Sequence, residues 1–233
     1  MKLILTKKPK NVKIIEGFPG FGLIGTIATE FLIEHLDTEK IGSIEADEVP
    51  AMIAVHQNKI VEPISIHYNK KYNIVLVHAL NVTPQMSWNL ADTIRELAKE
   101  VAAKEIISLE GVGSPPHPGE SKVYYYSTKA NKSLTNIAHP LVEGIVVGVT
   151  GALMVREKSI PVTALFAEAE SNLPDSKAAA AIIKALDQYA GLEVDYAPLL
   201  AQAKDFQQKL KGMMQKGKKA EGTVEKKRMT YVG

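Results

Sequence analysis

The chain has 233 residues, 28 basic and 26 acidic side chains, 45% apolar and 6% aromatic residues, and no cysteine. The missing Cys excludes a disulfide framework, a Cys-built zinc or iron–sulfur site and a thiol nucleophile. The length suits one sizeable α/β domain with an appendage, or two small domains, either able to bury a core without staples.

The net charge of +2 divides unevenly. From Lys216 onward there are six basic residues against Glu221 and Glu225, so this segment carries +4 and the rest of the chain −2. A basic balance can signal nucleic acid, but here the excess sits in one Gly- and Lys-rich terminal segment, and nucleic acid is not the expected partner. That segment is too poor in apolar residues to pack and is expected to be disordered when free.

In chain order, Met1 to Lys10 carries four lysines around the apolar patch Leu3-Ile4-Leu5, too short for a signal-peptide core. No stretch approaches the roughly 20 apolar residues of a membrane span. A cytoplasmic protein with no membrane partner is expected. Val12 to Glu16 reads as a buried strand, Leu23 to Leu36 as a helix and Ile41 to Glu45 as a strand. Ala51 to Val55 and Ile60 to Tyr68 alternate around Gln57-Asn58-Lys59 and predict an antiparallel hairpin. Ile74 to Leu80 is a strand, Ser87 to Ala102 a helix begun at Thr83-Pro84, and Glu105 to Leu109 and Pro161 to Ala167 are strands. Pro174-Asp175-Ser176 opens an Ala-rich helix from Lys177 to Ala190, closed by Gly191. A last amphipathic helix runs from Pro198 to about Lys211.

Strands alternating with helices predict an α/β fold whose mixed, mainly parallel sheet is covered on both faces. The expected organisation is a domain over 1–192, a C-terminal helix over 193–215 and a flexible basic tail over 216–233.

Gly20, Gly22 and Gly25 match G-x-G-x-x-G between a strand and a helix, with Glu45 and Asp47 about 20 residues on. Such glycines let a backbone approach a pyrophosphate at a helix N-terminus, while the acid meets a ribose. Against this, Phe18, Pro19 and Phe21 are bulky for a phosphate cradle, and Pro19 lacks an N–H. The alternative is that the glycines bring the helix close to the sheet while Phe18 and Phe21 face a partner or a cleft. Two more Gly-rich stretches, Gly111 to Gly119 and Gly144 to Ala152, either line one crevice with it or form an oligomeric face. The six histidines show no metal-ligand spacing, there is no G-x-S-x-G elbow, and Asp47-Glu48 reads as a solvated turn. No cofactor, metal site or catalytic constellation is expected.

The turn Glu16 to Gly25, the stretch Leu109-Glu110-Gly111, the run Gly148 to Met154, and Ala167-Glu168-Ala169 leading to Pro174 to Ala179 occur in one order. Together they resemble the archaeal branch of the proteasome assembly chaperone family, sometimes labelled ATP-grasp-like. The resemblance implies a three-layer α/β/α sandwich of the phosphorylase/hydrolase-like type, used as a homo-oligomeric binding scaffold rather than as an enzyme. It further implies binding to the α subunits of the proteasome core particle, a paralogous chain as a possible co-partner, and a C-terminal hydrophobic–Tyr–any-residue tip. Here the ending is Tyr231-Val232-Gly233, which places the tyrosine third from last instead of penultimate. Nucleotide binding through the Gly20 to Gly25 loop is the competing expectation.

Overall fold

The computed structural model describes residues 1–46, 48, 54–56, 59–115 and 119–201, with the backbone alone given for 54–56 and 59–61. Eleven strands among them form two sheets: β1 (Lys2–Leu5), β2 (Lys13–Gly17), β3 (Thr38–Glu45), β4 (Ala54–His56), β5 (Lys59–Val61), β6 (Ile64–Asn69), β7 (Ile74–Ala79), β8 (Glu105–Gly113), β9 (Val123–Ser127), β10 (His139–Pro140) and β11 (Val162–Ala169). Four α-helices accompany them, α1 (Ile24–His35), α2 (Ser87–Glu100), α3 (Gly148–Arg156) and α4 (Ser176–Ala190).

The large sheet runs β1-β3-β6-β7-β2-β8-β11-β9-β10. Its centre, β7-β2-β8-β11, is parallel, and the strands flanking it on either side attach antiparallel. The sheet is thus mixed, as expected. The central strands are the continuous apolar runs of the sequence, because helices cover both faces and leave no polar side to alternate with. All six residues of β7 are buried.

One face packs against α2 and α3, where Ile14, Val75, Val77 and Ile106 meet Leu90, Ile94, Leu97 and Leu153. The other packs against α1 and α4, where Ile15, Leu76, Ile107 and Leu165 meet Ala28, Leu32, Ile182 and Leu186. These layers make the α/β/α sandwich. Pro84 begins the turn before α2, and Ser87 Oγ donates to the Pro84 carbonyl at 2.8 Å. Asp175 caps α4 by accepting from the Ala178 N–H at 3.0 Å, and Gly191 ends it at φ 65°, a left-handed position that glycine adopts at least cost.

Two expectations need correction. The run Ile60 to Tyr68 is not one strand: β5 pairs with β4 in a separate ribbon, while β6 enters the large sheet between β3 and β7. Pro63 divides them, because it has no N–H for a ladder while its carbonyl accepts from Leu80 N at 2.9 Å. The third glycine stretch is not wholly loop either, since α3 starts at Gly148. Of the helix expected from Pro198 to about Lys211, only the part up to residue 201 is described; the later positions of that expectation and the expected tail, including Tyr231, Val232 and Gly233, lie outside the described residues.

Candidate functional site

The glycine turn joins β2 to α1 at the carboxyl end of the parallel strands. It lets backbone touch backbone. A methyl built on Gly17 would lie 2.1 Å from the Gly25 carbonyl oxygen, and one on Gly25 would lie 2.3 Å from that of Leu109. On β8, a methyl on Gly111 would lie 1.9 Å from the Phe21 carbonyl oxygen. None of these approaches is open to a residue with a Cβ, so the first turn of α1 sits directly on β2 and β8. The N–H of Leu23 is already used by the Gly20 carbonyl at 3.0 Å, and the Gly22 carbonyl accepts from Asp175 N at 2.9 Å.

The two rings of the turn go to opposite faces of the sheet. Phe18 is only 4% exposed and belongs to the layer beneath α2 and α3. Phe21 is half-buried against the layer of α1 and α4. Both border one cleft, Phe18 as its inner wall and Phe21 half-buried with surface left exposed.

That cleft, about 610 Å³, lies between the turn at Phe18–Phe21, the connection from β7 to α2 at Val82–Trp88, the end of β8 at Glu110–Gly111, and Val146–Val155 leading through α3. Carbon dominates its rim: Trp88, Val147 and Val155 are exposed. All three glycine stretches line one crevice, as Gly20, Gly111, Gly148 and Gly151 all border it.

Its floor is acidic. Glu16 on β2 stands in register with Ser108 on β8, and Glu110 follows two residues on, so the three side chains share the face covered by α3. Glu16 is fully buried, and neither of its carboxylate oxygens has a hydrogen-bond partner; nor does the Ser108 hydroxyl. Thr150 Oγ1 donates to Glu110 Oε1 at 2.6 Å. Burial raises the Glu110 pKa to about 7 against the favourable Thr150 bond. Burial, and then the charge of Glu110, push the Glu16 carboxyl well above the usual carboxylate range. Two carboxyl groups thus lie side by side on a buried face, a setting in which at least one holds a proton.

Other candidate residues lie elsewhere. Glu45 ends β3, which β6 and β7 separate from β2, and it pairs with Lys2 at 3.7 Å on the rim of the sheet. The structure does not bring Glu45 to Gly20, Gly22 and Gly25. Asp47 lies outside the described residues. His67 donates to or accepts from Ser65 Oγ at 3.0 Å, and burial, then Lys40, lower its pKa to about 4. Among the described residues no cluster of three His, Asp or Glu can hold a metal, and no helix is long and apolar enough to cross a membrane.

Glu16, Glu110 and Thr150 were not candidates on sequence. The available signal was an acid inside each of two apolar strands, Ile14-Ile15-Glu16 and Leu109-Glu110.

Comparison with known proteins places this geometry. An uncharacterised protein of Methanocaldococcus jannaschii is 25% identical over 228 residues, which cover 96% of this chain and 94% of that protein. The crystal structure of Pyrococcus furiosus PbaA, an archaeal homologue of proteasome-assembly chaperone, matches with a TM-score of 0.84 and 27% identity, covering 100% of this chain and 99% of PbaA. PbaB of the same organism, an archaeal proteasome activator, shares the fold with a TM-score of 0.79 and 24% identity, over 91% of this chain and 98% of PbaB. Residues 14–214 match the PAC2 family, a span that takes in the glycine turn, the acidic floor and both helical layers, and the chain belongs to that family.

Proposed function

We propose that the protein is a homo-oligomeric, non-catalytic proteasome assembly chaperone or proteasome activator that engages the α subunits of the core particle in the cytoplasm. The observation that carries this reading is the end-to-end likeness to PbaA, with 27% identity sustained over 100% of this chain. The glycine turn supports a scaffold role, because its close contacts serve helix-on-sheet packing and its carbonyls and one N–H are spent within the protein. Tyr231, Val232 and Gly233, at the end of a Lys-rich segment, supply an aromatic tip for docking, and Phe21 a second apolar contact. Several copies on one ring would bind with avidity even where each tip is weak. A paralogous chain is a further partner under this reading; cofactor and nucleic acid have no part in it.

The test is a pull-down with the proteasome core particle, comparing the full chain with one ending after Lys211. Capture of the full chain alone assigns the contact to the terminal segment. Equal capture moves it to the α/β body, and capture of neither overturns the proposal. Light scattering coupled to size exclusion checks the oligomer, with a monomer as the adverse result.

A further inference from the structure

An assembly role leaves the acidic floor of the cleft without a purpose. Burying one unpaired carboxylate is costly, and burying two side by side is costlier. Among the described residues no Lys, Arg or His pairs with either acid; Glu110 has the Thr150 hydroxyl, and Glu16 has only the Ser108 and Thr150 hydroxyls nearby, neither in good hydrogen-bond geometry. Glu110 borders the open cleft and Glu16 lies behind it, so the negative potential of an ionised Glu110 is directed to that opening.

The shape of that opening narrows what can fill it. Thr150 takes Oε1 of Glu110, whereas Oε2 is turned toward Gly20, where a Cβ would lie 3.1 Å away. Glycine at position 20 therefore keeps this oxygen open, and its backbone does not otherwise call for glycine: at φ −148° and ψ −159° any residue is comfortable. A hydrated divalent cation wants six or more oxygen ligands, and no cluster of three acids or histidines is present among the described residues. The walls are instead carbon, from Pro19, Phe21, Trp88, Val147 and Val155. An ammonium group on an alkyl chain meets both demands. Its three N–H donors suit an open carboxylate, and its methylenes suit apolar walls and aromatic faces.

We propose that the cleft floored by Glu110, with Glu16 behind it, binds an alkylammonium group, carried by a free amine or by a lysine side chain of another polypeptide. Calorimetry on the full chain at about pH 8, where Glu110 is ionised, tests this with n-butylammonium, Nα-acetyl-lysine amide and the neutral n-butanol. Both cations are expected to bind one per chain and butanol not to; the tighter cation identifies the source. Glu110→Gln should weaken the better probe at least about tenfold, as loss of a charge partner does. Gly20→Ala places a methyl before Oε2 while leaving every charge in place, and should weaken it as well. Circular dichroism confirms that both variants are folded. Ammonium probes that bind no better than butanol, or that bind equally to wild type and both variants, would overturn the proposal.

Discussion

Strands β2 and β8 lie side by side and carry buried acids at both ends, in opposite circumstances. At the amino end Glu105 is satisfied on every side. Its Oε1 accepts from Thr163 Oγ1 and from the Tyr189 hydroxyl, each at 2.7 Å, and its Oε2 lies 3.4 Å from Lys13 Nζ. The ammonium of Lys13 also sits 4.6 Å from the centre of the Tyr189 ring. Burial and the bond to Glu105 push the Tyr189 phenol above its usual range, so it stays a donor. One carboxylate thereby ties β2, β8, β11 and α4 together. At the carboxyl end no hydrogen bond of good geometry reaches Glu16, near only the Ser108 and Thr150 hydroxyls, and Glu110 has one. A satisfied buried acid contributes to the fold, whereas an unsatisfied one weakens it and marks a place where something other than stability is served.

The largest effect should come from closing the space at the carboxyl end. Gly25→Ala forces a methyl to within 2.3 Å of the Leu109 carbonyl on a central strand that cannot retreat. Urea unfolding should show a loss of more than about 3 kcal/mol, at or beyond the usual range for overpacking. A smaller loss would mean that α1 can slide on the sheet. Next, Glu105→Ala leaves Lys13, Thr163 and Tyr189 without their acceptor and should cost about 3 kcal/mol. An equal cost for Glu16→Ala would erase the contrast between the two ends.

The pH dependence separates the ends differently. The Glu110 pKa is raised from 4.5 to about 7 in the folded protein. Between those values the folded chain holds a proton that the unfolded chain releases, so stability is fully present below pH 4.5 and lost as pH rises through 7. Glu16 acts in the same direction. In thermal or urea unfolding of wild type, Glu110 alone should account for a fall of about 3 kcal/mol across this window, with Glu16 adding to it. Glu110→Gln should remove about half of that slope, leaving the share of Glu16, and a slope unchanged in the variant would remove Glu110 as a source.

These differences explain which parts of the molecule were legible in the sequence. The central strands announced themselves as apolar runs, and α4 by Asp175 before it and Gly191 after it, because burial on both faces and helix capping are local consequences of composition. The ribbon β4–β5 was half visible, since alternation alone cannot tell that Pro63 hands the chain to another sheet. β9 is not among the expected strands although Val123-Tyr124-Tyr125-Tyr126 favours one, because it is a flanking strand with little buried surface. The acidic floor was invisible for another reason. Glu16 and Glu110 are far apart in the chain, and only the parallel register that sets Glu16 beside Ser108 brings them together. The same topology parts Glu45 from the glycine turn, because the strand after α1 joins the sheet beyond β6 and β7. Strand order, the least local property of the fold, decides both.

The smallest effect on stability is the most informative about the turn itself. Gly17, Gly25 and Gly111 are each held by backbone contact, but Gly20 is opposed closely by the side-chain oxygen Glu110 Oε2 at 3.1 Å, with the Phe18 carbonyl oxygen at an ordinary 3.9 Å. Its extended backbone accepts alanine, which removes unfolded-state freedom and stabilises by about 0.4–1 kcal/mol where the native conformation allows it. Against that stands mild crowding of a carboxylate whose other oxygen is anchored by Thr150. The two effects oppose, so Gly20→Ala should unfold within about 1 kcal/mol of wild type. A glycine kept for packing would show a loss like that of Gly25→Ala; one kept for access to Glu110 loses only what the cleft binds.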